Sequence, residues 1–386
     1  MIRDTAILQA FIEQVSRFVR ERLVPLESEV DESGRIPPEI VTEMRELGLY
    51  GMSIPEDYGG LGLTMEEEVA VAFVLGRTSP AFRSLIGTNN GIGSQGLVMS
   101  GTAEQKQKYL PRLATGEIVG SFALTEPDAG SDAGSLRTSA RRVDGDWILN
   151  GTKRYITNAP LAGLFTLFAR TDPSLAGGAG VSAFLVERNS PGLRLGKLDR
   201  KMGQNGSQTC DVILEDCRVP AEALLGGCEG EGFKTAMMVL DRGRLHISAV
   251  CIGVAERLID DALRYALERK QFGQPIAEFQ LIQAMLADSR AEALAGRSMV
   301  IETARKKDAG ASVATDAACC KLFCSEMVGR VADRAVQIHG GAGYMSEYAV
   351  ERLYRDVRLF RIYEGTSQIQ QLVIARNMIR DAQSQQ

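Results

Sequence analysis

The chain has 386 residues, of which 45% are hydrophobic, 24% charged and 6% aromatic, and its formal net charge is −5. This length exceeds one average domain, and these fractions exclude a disordered or collagen-like chain. The mild acidity argues against a nucleic-acid partner, and the only histidines available for metal sites or histidine-based catalysis are His246 and His339.

The N-terminus and the cysteines together predict a cytoplasmic protein. Arg3, Asp4 and Glu13 interrupt the apolar pattern that a secretory signal requires, and no stretch approaches the roughly 18 apolar residues of a membrane helix. The seven cysteines are odd in number and form no CxxC motif. We therefore expect free thiols in a reducing compartment, namely a bacterial-type cytoplasm. We expect neither a metal site nor a membrane span.

The first third of the chain has helical patterning. Apolar residues recur at three- and four-residue spacing from Ile7 to Val19, which predicts one helix face, and Pro25 closes or kinks that helix. A second helix is predicted over PEIVTEMRELGL, and the pattern returns from Thr64 to Leu113. We expect an α-helical N-terminal domain over residues 1–118.

The middle and the last third differ in character. Short apolar runs such as DWILNG, LFTLFAR and VSAFLVER are separated by turn residues, which predicts a barrel-like β domain over residues 119–228. Four long helical patterns follow, with few glycines or prolines and short links, and they predict a four-helix bundle over residues 229–386. The fold class is therefore mainly α with a central β domain.

One glycine motif matches a nucleotide-binding pattern but lies in the wrong structural context. Gly91, Gly93 and Gly96 match the GxGxxG pattern of dinucleotide-binding loops, and Glu117 follows at a distance suited to a ribose contact. Such a loop must follow a buried strand and begin a helix. The surroundings here are helical, so the match is interpreted as accidental.

The most informative segment is RIYEGTSQIQ near the C-terminus. Glu364 precedes Gly365, and Ser367 with Gln370 resembles a capping box for the final helix. The helix dipole would favour the ionised carboxylate, whereas an apolar pocket would raise its pKa. Such a carboxylate can take a weakly acidic proton. The alternative interpretation is a surface residue that neutralises the helix dipole.

Two segments of the β domain carry polar groups suited to a ligand. In ALTEPDAGSDAGS, Thr125 and Ser131 lie in a turn that offers hydroxyls and backbone amides to a phosphate or a polar ring edge. In NGTKRYITNAP, Tyr155 and Thr157 lie two residues apart on one strand face, which suits a planar heterocycle. The alternatives are an ordinary hairpin entry and a cross-strand packing pair.

Two further segments lie in the helical third. In ERKQFGQPIAEFQ, Arg269 is a candidate phosphate ligand at a helix end. In QIHGGAGY, Gly340 and Gly341 allow close backbone approach beside Gln337. A surface arginine and a helix C-cap are the alternatives.

Considered together, the motifs LTEPDAGSD, KRYITN, RKQFGQPI, QIHGGAGY and RIYEGTSQIQ, in this order, resemble those of the acyl-CoA dehydrogenase family over nearly the whole chain. The resemblance implies an FAD-dependent enzyme that converts an acyl-CoA thioester to the trans-2-enoyl-CoA. Glu364 would take the α-proton and flavin N5 the β-hydride, and the electrons would pass to an electron-transfer flavoprotein. A homotetramer or homodimer is also implied.

The resemblance assigns roles residue by residue. The residues implied to bind FAD are Phe122, Ala123, Leu124, Thr125, Ser131, Tyr155, Ile156, Thr157, Arg269, Phe272, Gln280, Gln337, Gly340, Gly341, Thr366 and Gln368. Those implied to bind the substrate are Ser131, Asp241, Arg244, Gly365 and Arg83. Tyr155 stands where the family often has Trp.

Two positions bear on the branch of the family. Members with the base on a helix would carry it near position 243, which is Gly243 here, so the branch with the base in the loop is implied. SPAFRS is similar to a motif of the glutaryl-CoA branch, in which the arginine meets a substrate carboxylate. Arg83 would then bind an ω-carboxylate, and the alternative is a helix-surface arginine.

Some alternatives remain open at this stage. An oxidase of the same fold would reoxidise its flavin with oxygen, and a related branch binds duplex DNA through a basic C-terminal region that this acidic chain lacks. An arginine recurs every three residues at Arg352, Arg355, Arg358 and Arg361. These side chains are interpreted either as ion-paired or solvated helix positions or as a surface that binds a partner. Acyl chain length and branching do not follow from the sequence.

Overall fold

The structure is a computed structural model that describes residues 1–384, and it has the expected order of helical, β and helical domains. The N-terminal helices are α1 (Thr5–Phe18), α2 (Glu27–Ser33), α3 (Pro38–Glu46), α4 (Met65–Leu75), α5 (Pro80–Thr88), α6 (Gln95–Ser100) and α7 (Ala103–Ala114).

Helix α1 has a capped N-terminus, and its apolar face differs in part from the predicted one. The Asp4 carboxylate caps its N-terminus by accepting hydrogen bonds from two backbone N–H groups. The regular α-helix ends at Phe18, before Pro25, and a π-helical turn (Val19–Leu23) and a 3-10 turn that contains Pro25 then lead into α2. Leu8 is buried whereas Ile7 is 70% exposed, so the predicted apolar face is wrong at its first position, although Val15, Phe18 and Val19 are buried as predicted.

Seven strands form the β domain: β1 (Gly120–Ala123), β2 (Ser139–Val143), β3 (Asp146–Thr157), β4 (Leu164–Arg170), β5 (Val181–Glu187), β6 (Leu193–Leu198) and β7 (Thr209–Val219). Their order is β1-β4-β2-β3-β7-β6, and β5 pairs with β4. The pairings of β4 with β1 and with β2 are parallel and the others are antiparallel. Trp147, Phe165 and Phe184 fill the core, and the sheet forms a half-barrel.

The C-terminal domain contains α8 (Gly232–Glu268), a hairpin of β8 (Lys270–Gln271) and β9 (Gln274–Pro275), and then α9 (Gln280–Asp308), α10 (Ala314–His339), α11 (Ala349–Val357) and α12 (Ser367–Ser384). The four long helices are α8, α9, α10 and α12, as predicted. Helix α8 is buried on all sides from Gly243 to Ala255, so it is the central helix of this domain.

The arginine series near α11 consists mainly of ion pairs. Arg352 pairs with the buried Glu27 at 2.9 Å and ties α11 to α2. Arg355 pairs with Asp31 and Glu351, and Arg361 pairs with Glu326. These contacts favour the ion-pair interpretation for three of the four arginines.

The GxGxxG segment lies in helical surroundings, as expected. It spans a π-helical turn (Asn89–Gly93) and the beginning of α6, and it follows α5 rather than a strand. A dinucleotide-binding loop is therefore excluded at this segment. Between residues 1 and 384, every helix is too short or too polar to cross a membrane.

Candidate active site

A cavity of about 730 Å³ lies where the three domains meet. The residues of the sequence-predicted site that line it are Arg83, Phe122, Leu124, Thr125, Ser131, Tyr155, Ile156, Thr157, Arg244, Glu364 and Gly365. The topology thus brings together side chains that are up to 282 positions apart in the chain, from Arg83 to Gly365.

Glu364 lies in the turn that precedes α12, with a left-handed φ of 53°. The residue is half-buried, but its Oε2 atom is buried and has no hydrogen-bond partner within the described chain. Burial raises the pKa of this carboxyl above its ordinary value, while the positive charges of Arg83, Lys321 and Arg244 oppose the shift. A buried carboxylate without a donor is available to take a proton from a ligand in the cavity.

Residues 362–366, the turn that carries Glu364, form the base loop, which is named for the role that the sequence resemblance implies for Glu364. The Gln370 side-chain amide donates to the carbonyls of Glu364 and Gly365 at 3.1 and 3.0 Å. The Lys321 ammonium donates to the Gly365 carbonyl at 2.6 Å. The base loop is therefore held from α12 and from α10, and the sequence analysis identified neither role.

The predicted capping box at α12 is wrong in its details. The N-cap acceptor is the Thr366 hydroxyl, which accepts a hydrogen bond from the Ile369 N–H at 3.2 Å. Ser367 instead donates to Glu326 on α10, at 2.6 Å. Gln370 bonds to the base loop, so tertiary partners displace the local motif.

Gly243 on α8 faces the carboxylate of Glu364. A Cβ atom at position 243 would overlap Oε2 of Glu364 and would lie 3.0 Å from its Cδ. Position 243 and the tip of Glu364 thus share one region of space. The absence of a side chain at Gly243 lets the Glu364 carboxylate occupy that region.

A buried ion pair organises the loop that follows β1. The Lys153 ammonium donates to Glu126 at 2.7 Å and to the Leu124 carbonyl at 3.2 Å. Glu126 also accepts from the backbone N–H groups of Arg137 and Thr138. Burial raises the pKa of Glu126, but Lys153 and these donors outweigh it, so the pKa is lowered overall. The LTEPDAGSD and KRYITN motifs are thereby joined through two residues that the sequence analysis did not single out.

Tyr155 and Thr157 reach the cavity through an irregularity in β3. The register with β7 shifts between Lys153 and Ile156, and Tyr155 has a φ of 57°. Such a bulge re-aims a side chain out of the regular strand alternation. Tyr155 is 60% exposed, which is consistent with a ligand-facing aromatic ring.

Several hydroxyls on the cavity wall are free to bind a ligand. Thr125, Ser131 and Thr157 line the cavity, and their side chains form no hydrogen bond to other groups in residues 1–384. Adjacent aromatic faces come from Phe122 and Tyr155. This combination of apolar faces and unpaired hydroxyls fits a planar cofactor with a polar edge, such as a flavin ring.

Arg83 also lines the cavity and is buried. Its Nη2 contacts Nδ1 of His246, and its Nε has no partner within residues 1–384. Burial and the charges of Arg83 and Arg242 lower the pKa of His246 well below its ordinary value. A neutral His246 can accept from Arg83 at Nδ1, but it does not neutralise the guanidinium charge.

Arg244 is the second buried arginine of the cavity wall, and Asp241 accepts a hydrogen bond from its Nη1 at 2.7 Å. Asp241 itself is not among the lining residues. Arg376 on α12 also lines the cavity and was missed by the sequence analysis. An arginine on an amphipathic helix gives no signal of its own, because such residues are usually solvent-facing.

The remaining predicted cofactor residues do not line this cavity. Ala123 is fully buried in the β-domain core. Six others lie on exposed surface at the β8–β9 hairpin, at the beginning of α9 and at the end of α10: Arg269, Phe272, Gln280, Gln337, Gly340 and Gly341. Thr366 caps α12, and Gln368 is exposed. Phe272 is 94% exposed, so these residues form a separate surface of the single chain.

The buried Glu364 carboxylate and the hydroxyl-lined cavity have the composition of an enzyme active site, and comparison with known proteins identifies the family of the chain. Three family models match: the acyl-CoA dehydrogenase N-terminal domain over residues 5–117, the middle domain over 121–217 and the C-terminal domain over 230–379. The chain belongs to the acyl-CoA dehydrogenase family. It is therefore an oxidoreductase of a family whose members bind FAD.

Individual relatives cover nearly the whole chain. It is 43% identical to the acryloyl-CoA reductase (NADH) of Anaerotignum propionicum, over 96% of this chain and 94% of that protein. It is 42% identical to a caffeyl-CoA reductase-Etf complex subunit of Acetobacterium woodii, over 94% of this chain and 95% of that protein. The structure of butyryl-CoA dehydrogenase from Megasphaera elsdenii matches with a TM-score of 0.94 at 37% identity, covering 98% of this chain and 100% of that one.

Proposed function

We propose that this protein catalyses the α,β-dehydrogenation of an acyl-CoA thioester to the trans-2-enoyl-CoA, with Glu364 as the base that takes the α-proton. The observation that carries the proposal is the buried, unpartnered Oε2 of Glu364 beside the cavity. FAD, when bound, supplies the acceptor for the β-hydride at flavin N5. The substrate thus loses a proton to Glu364 and a hydride to the cofactor.

The base loop also offers a donor for the thioester oxygen. The backbone N–H of Glu364 donates no hydrogen bond within residues 1–384, whereas the loop carbonyls are bound by Gln370 and Lys321. A fixed, unpaired N–H is suited to stabilise the negative charge that develops on the thioester oxygen as the α-proton leaves. Glu364 would then contribute both its side chain and its backbone.

Other lining residues are assigned to the two ligands. Thr125, Ser131 and Thr157 would hold the flavin ring and its phosphates through their free hydroxyls, and Tyr155 would stack beside the ring. Arg244, fixed by Asp241, would face the CoA arm. Lys201 and Arg376 bring the cationic side chains of the cavity wall to four, which suits an anionic ligand.

The decisive variant is Glu364→Gln, which preserves the shape of the side chain and removes the base. We expect the yellow, FAD-loaded protein to fold normally. Its anaerobic flavin reduction by butyryl-CoA should slow by about 10³-fold or more, as for the loss of a general base. The measurement is stopped-flow bleaching of the flavin absorbance.

Glu347→Gln, at an exposed glutamate, is the matched control and should reduce flavin at the wild-type rate. Near-normal bleaching in Glu364→Gln would refute the assignment of the base. The raised pKa of Glu364 further predicts that the wild-type rate falls as pH drops below that pKa, because the base becomes protonated.

The relatives and the exposed surface support two proposed partners, an electron acceptor and a second copy of the chain. A relative that is named as a subunit of an Etf complex supports an electron-transfer flavoprotein as the electron acceptor. The exposed set around Phe272 and Gln337 includes six predicted FAD residues that are absent from the cavity of the single chain. A second copy in a homodimer or homotetramer would bring this set to the cofactor, and we propose a cytoplasmic location.

A specific observation favours one class of acyl group. Arg83 is buried in the cavity wall, and no carboxylate forms a salt bridge with it in the described chain. The Glu68 and Glu364 carboxylates act on this guanidinium electrostatically but form no salt bridge with it. A buried guanidinium that lacks a directly paired carboxylate is costly, and a ligand carboxylate would pair with it directly. We therefore propose that the acyl chain carries a carboxylate at its far end, as in glutaryl-CoA.

Arg83→Met tests this specificity. The ratio of kcat/KM for glutaryl-CoA to that for butyryl-CoA should fall about 100-fold, the value of one hydrogen-bonded charge. Because Arg83 also lowers the pKa of Glu364, the ratio should be measured at a pH where the base is fully ionised. Equal losses for both substrates would overturn the carboxylate proposal but leave the dehydrogenation intact.

A further inference from the structure

Lys321 is a fully buried lysine on α10, and its ammonium group ends at the base loop. It is 0% exposed and is among the largest completely buried side chains of the chain. Its Nζ donates to the Gly365 carbonyl at 2.6 Å. The residue after the catalytic carboxylate is therefore fixed by a charged donor from a different helix.

The charge of Lys321 is not neutralised by a salt bridge. No carboxylate within residues 1–384 forms one with its ammonium group, and burial lowers the pKa of Lys321 to about 8. An unpaired buried charge destabilises a fold, so packing alone does not account for a lysine at this position. Glu364 is one of two carboxylates whose charge acts on it, and the other is Glu326.

The electrostatic surroundings of the two groups come from several elements. The titratable and charged groups that act on Glu364 or Lys321 are Arg83 on α5, Arg244 and Cys251 on α8, Glu326 on α10, and Tyr363 in the base loop. Of these, the arginines are cationic over the whole accessible pH range. Lys321 is therefore the one cation acting on Glu364 that can lose its charge near neutral pH.

We propose that Lys321 is the positioning residue of the base loop, because its ammonium group fixes the Gly365 carbonyl and supplies positive charge that keeps the Glu364 carboxylate ionised. This rests on the proposed function of Glu364 as the base. The hydrogen bond orients the loop, and the charge sets the pH range in which the base works.

Two variants separate the hydrogen bond from the charge. Lys321→Met removes both, whereas Lys321→Gln keeps a donor without a charge. The readouts are the pH profile of anaerobic flavin reduction by butyryl-CoA and amide hydrogen exchange of residues 362–366. Ser325→Ala, at a buried hydroxyl one turn further along α10, is the matched control.

In Lys321→Met, the acid limb of the rate profile should move up by about one pH unit, the usual effect of losing a nearby opposite charge. The rate below that limb should fall about tenfold and recover at higher pH. The base-loop amides should exchange faster. Lys321→Gln should show the shifted limb with smaller changes in exchange, and Ser325→Ala should show neither effect.

An unchanged acid limb together with unchanged base-loop exchange in Lys321→Met would overturn the proposal. A lower rate at every pH without a moved limb would also overturn it, since a merely structural role predicts that result. If Lys321→Met does not fold, the acid limb of the Lys321→Gln rate profile is measured instead, and an unmoved limb in that variant would overturn the proposal. Failure of the wild-type protein to reduce its flavin with any acyl-CoA would instead reject the proposed function, and loop exchange would still test the anchoring.

Discussion

The two loops that meet at the cavity are each held by a buried lysine, but the two lysines differ in how their charge is balanced. Lys153 in the β domain donates to the Glu126 carboxylate and to a carbonyl. Lys321 in the helical bundle donates to the Gly365 carbonyl and has no salt-bridge partner in the described chain. Burial lowers the pKa of each lysine to about 8.

This difference distinguishes a neutralised ion pair from a buried charge without a salt bridge. The charge of Lys153 is neutralised by Glu126 in the loop after β1, and Glu126 in turn fixes the backbone at Arg137 and Thr138. The charge of Lys321 is left to act on Glu364. One lysine therefore shapes the wall that would hold the cofactor, while the other would tune the proposed base.

The largest expected effect of the difference between Lys153 and Lys321 is on the free energy of unfolding. Lys153→Met leaves Glu126 buried without its cation, which should lower the free energy of unfolding by about 3–5 kcal/mol. Lys321→Met removes an unpaired buried charge and should change that free energy by only about 1 kcal/mol. Urea denaturation with excess FAD, followed by circular dichroism, measures both.

The double variant Lys153→Met, Glu126→Leu is the control for the first effect. It removes both charges and should recover part of the lost stability, but not all of it, because the amides of Arg137 and Thr138 lose their acceptor. Similar losses for Lys153→Met and Lys321→Met would remove the distinction between the two lysines.

Most of the fold follows from local patterns in the sequence. Apolar residues recur with a regular spacing along the four long helices and along the strands. The type and order of these elements can therefore be predicted. Errors arise where the local signal is ambiguous. Ile7 and Leu8 fit a helix face equally well, and only packing against α4 and its neighbours decides that Leu8 is inside.

The site is less accessible to prediction, because its parts act through tertiary contacts. Glu364 is identifiable from the turn that carries it, and Thr125 and Thr157 from their motifs. Lys321, Lys153 and Gln370 occur in sequence as ordinary polar residues of a helix or a strand. Their burial, and hence their chemical role, depends on which carbonyl or carboxylate the fold brings opposite them.

Gly243 offers a smaller and complementary test, because it alters the position of the base rather than its charge. In Gly243→Ala the new methyl group would overlap Oε2 of Glu364, and the flexible carboxylate is the part that must move. A displacement of about 1 Å at a reacting group costs up to about 100-fold in rate, so flavin reduction should slow about tenfold to 100-fold. The loss should persist at every pH, in contrast to the shifted limb of Lys321→Met.

Gly329→Ala is the matched control for this variant. Gly329 is also a helical glycine whose added Cβ would meet the end of a flexible side chain, that of Arg361, at 3.0 Å, and it does not line the cavity. Both alanines improve helix propensity by about 1 kcal/mol, so both proteins should fold and retain FAD. Slow reduction confined to Gly243→Ala would locate the reacting carboxylate against α8. Wild-type rates in both variants would mean that Glu364 reacts from a position other than the one beside Gly243.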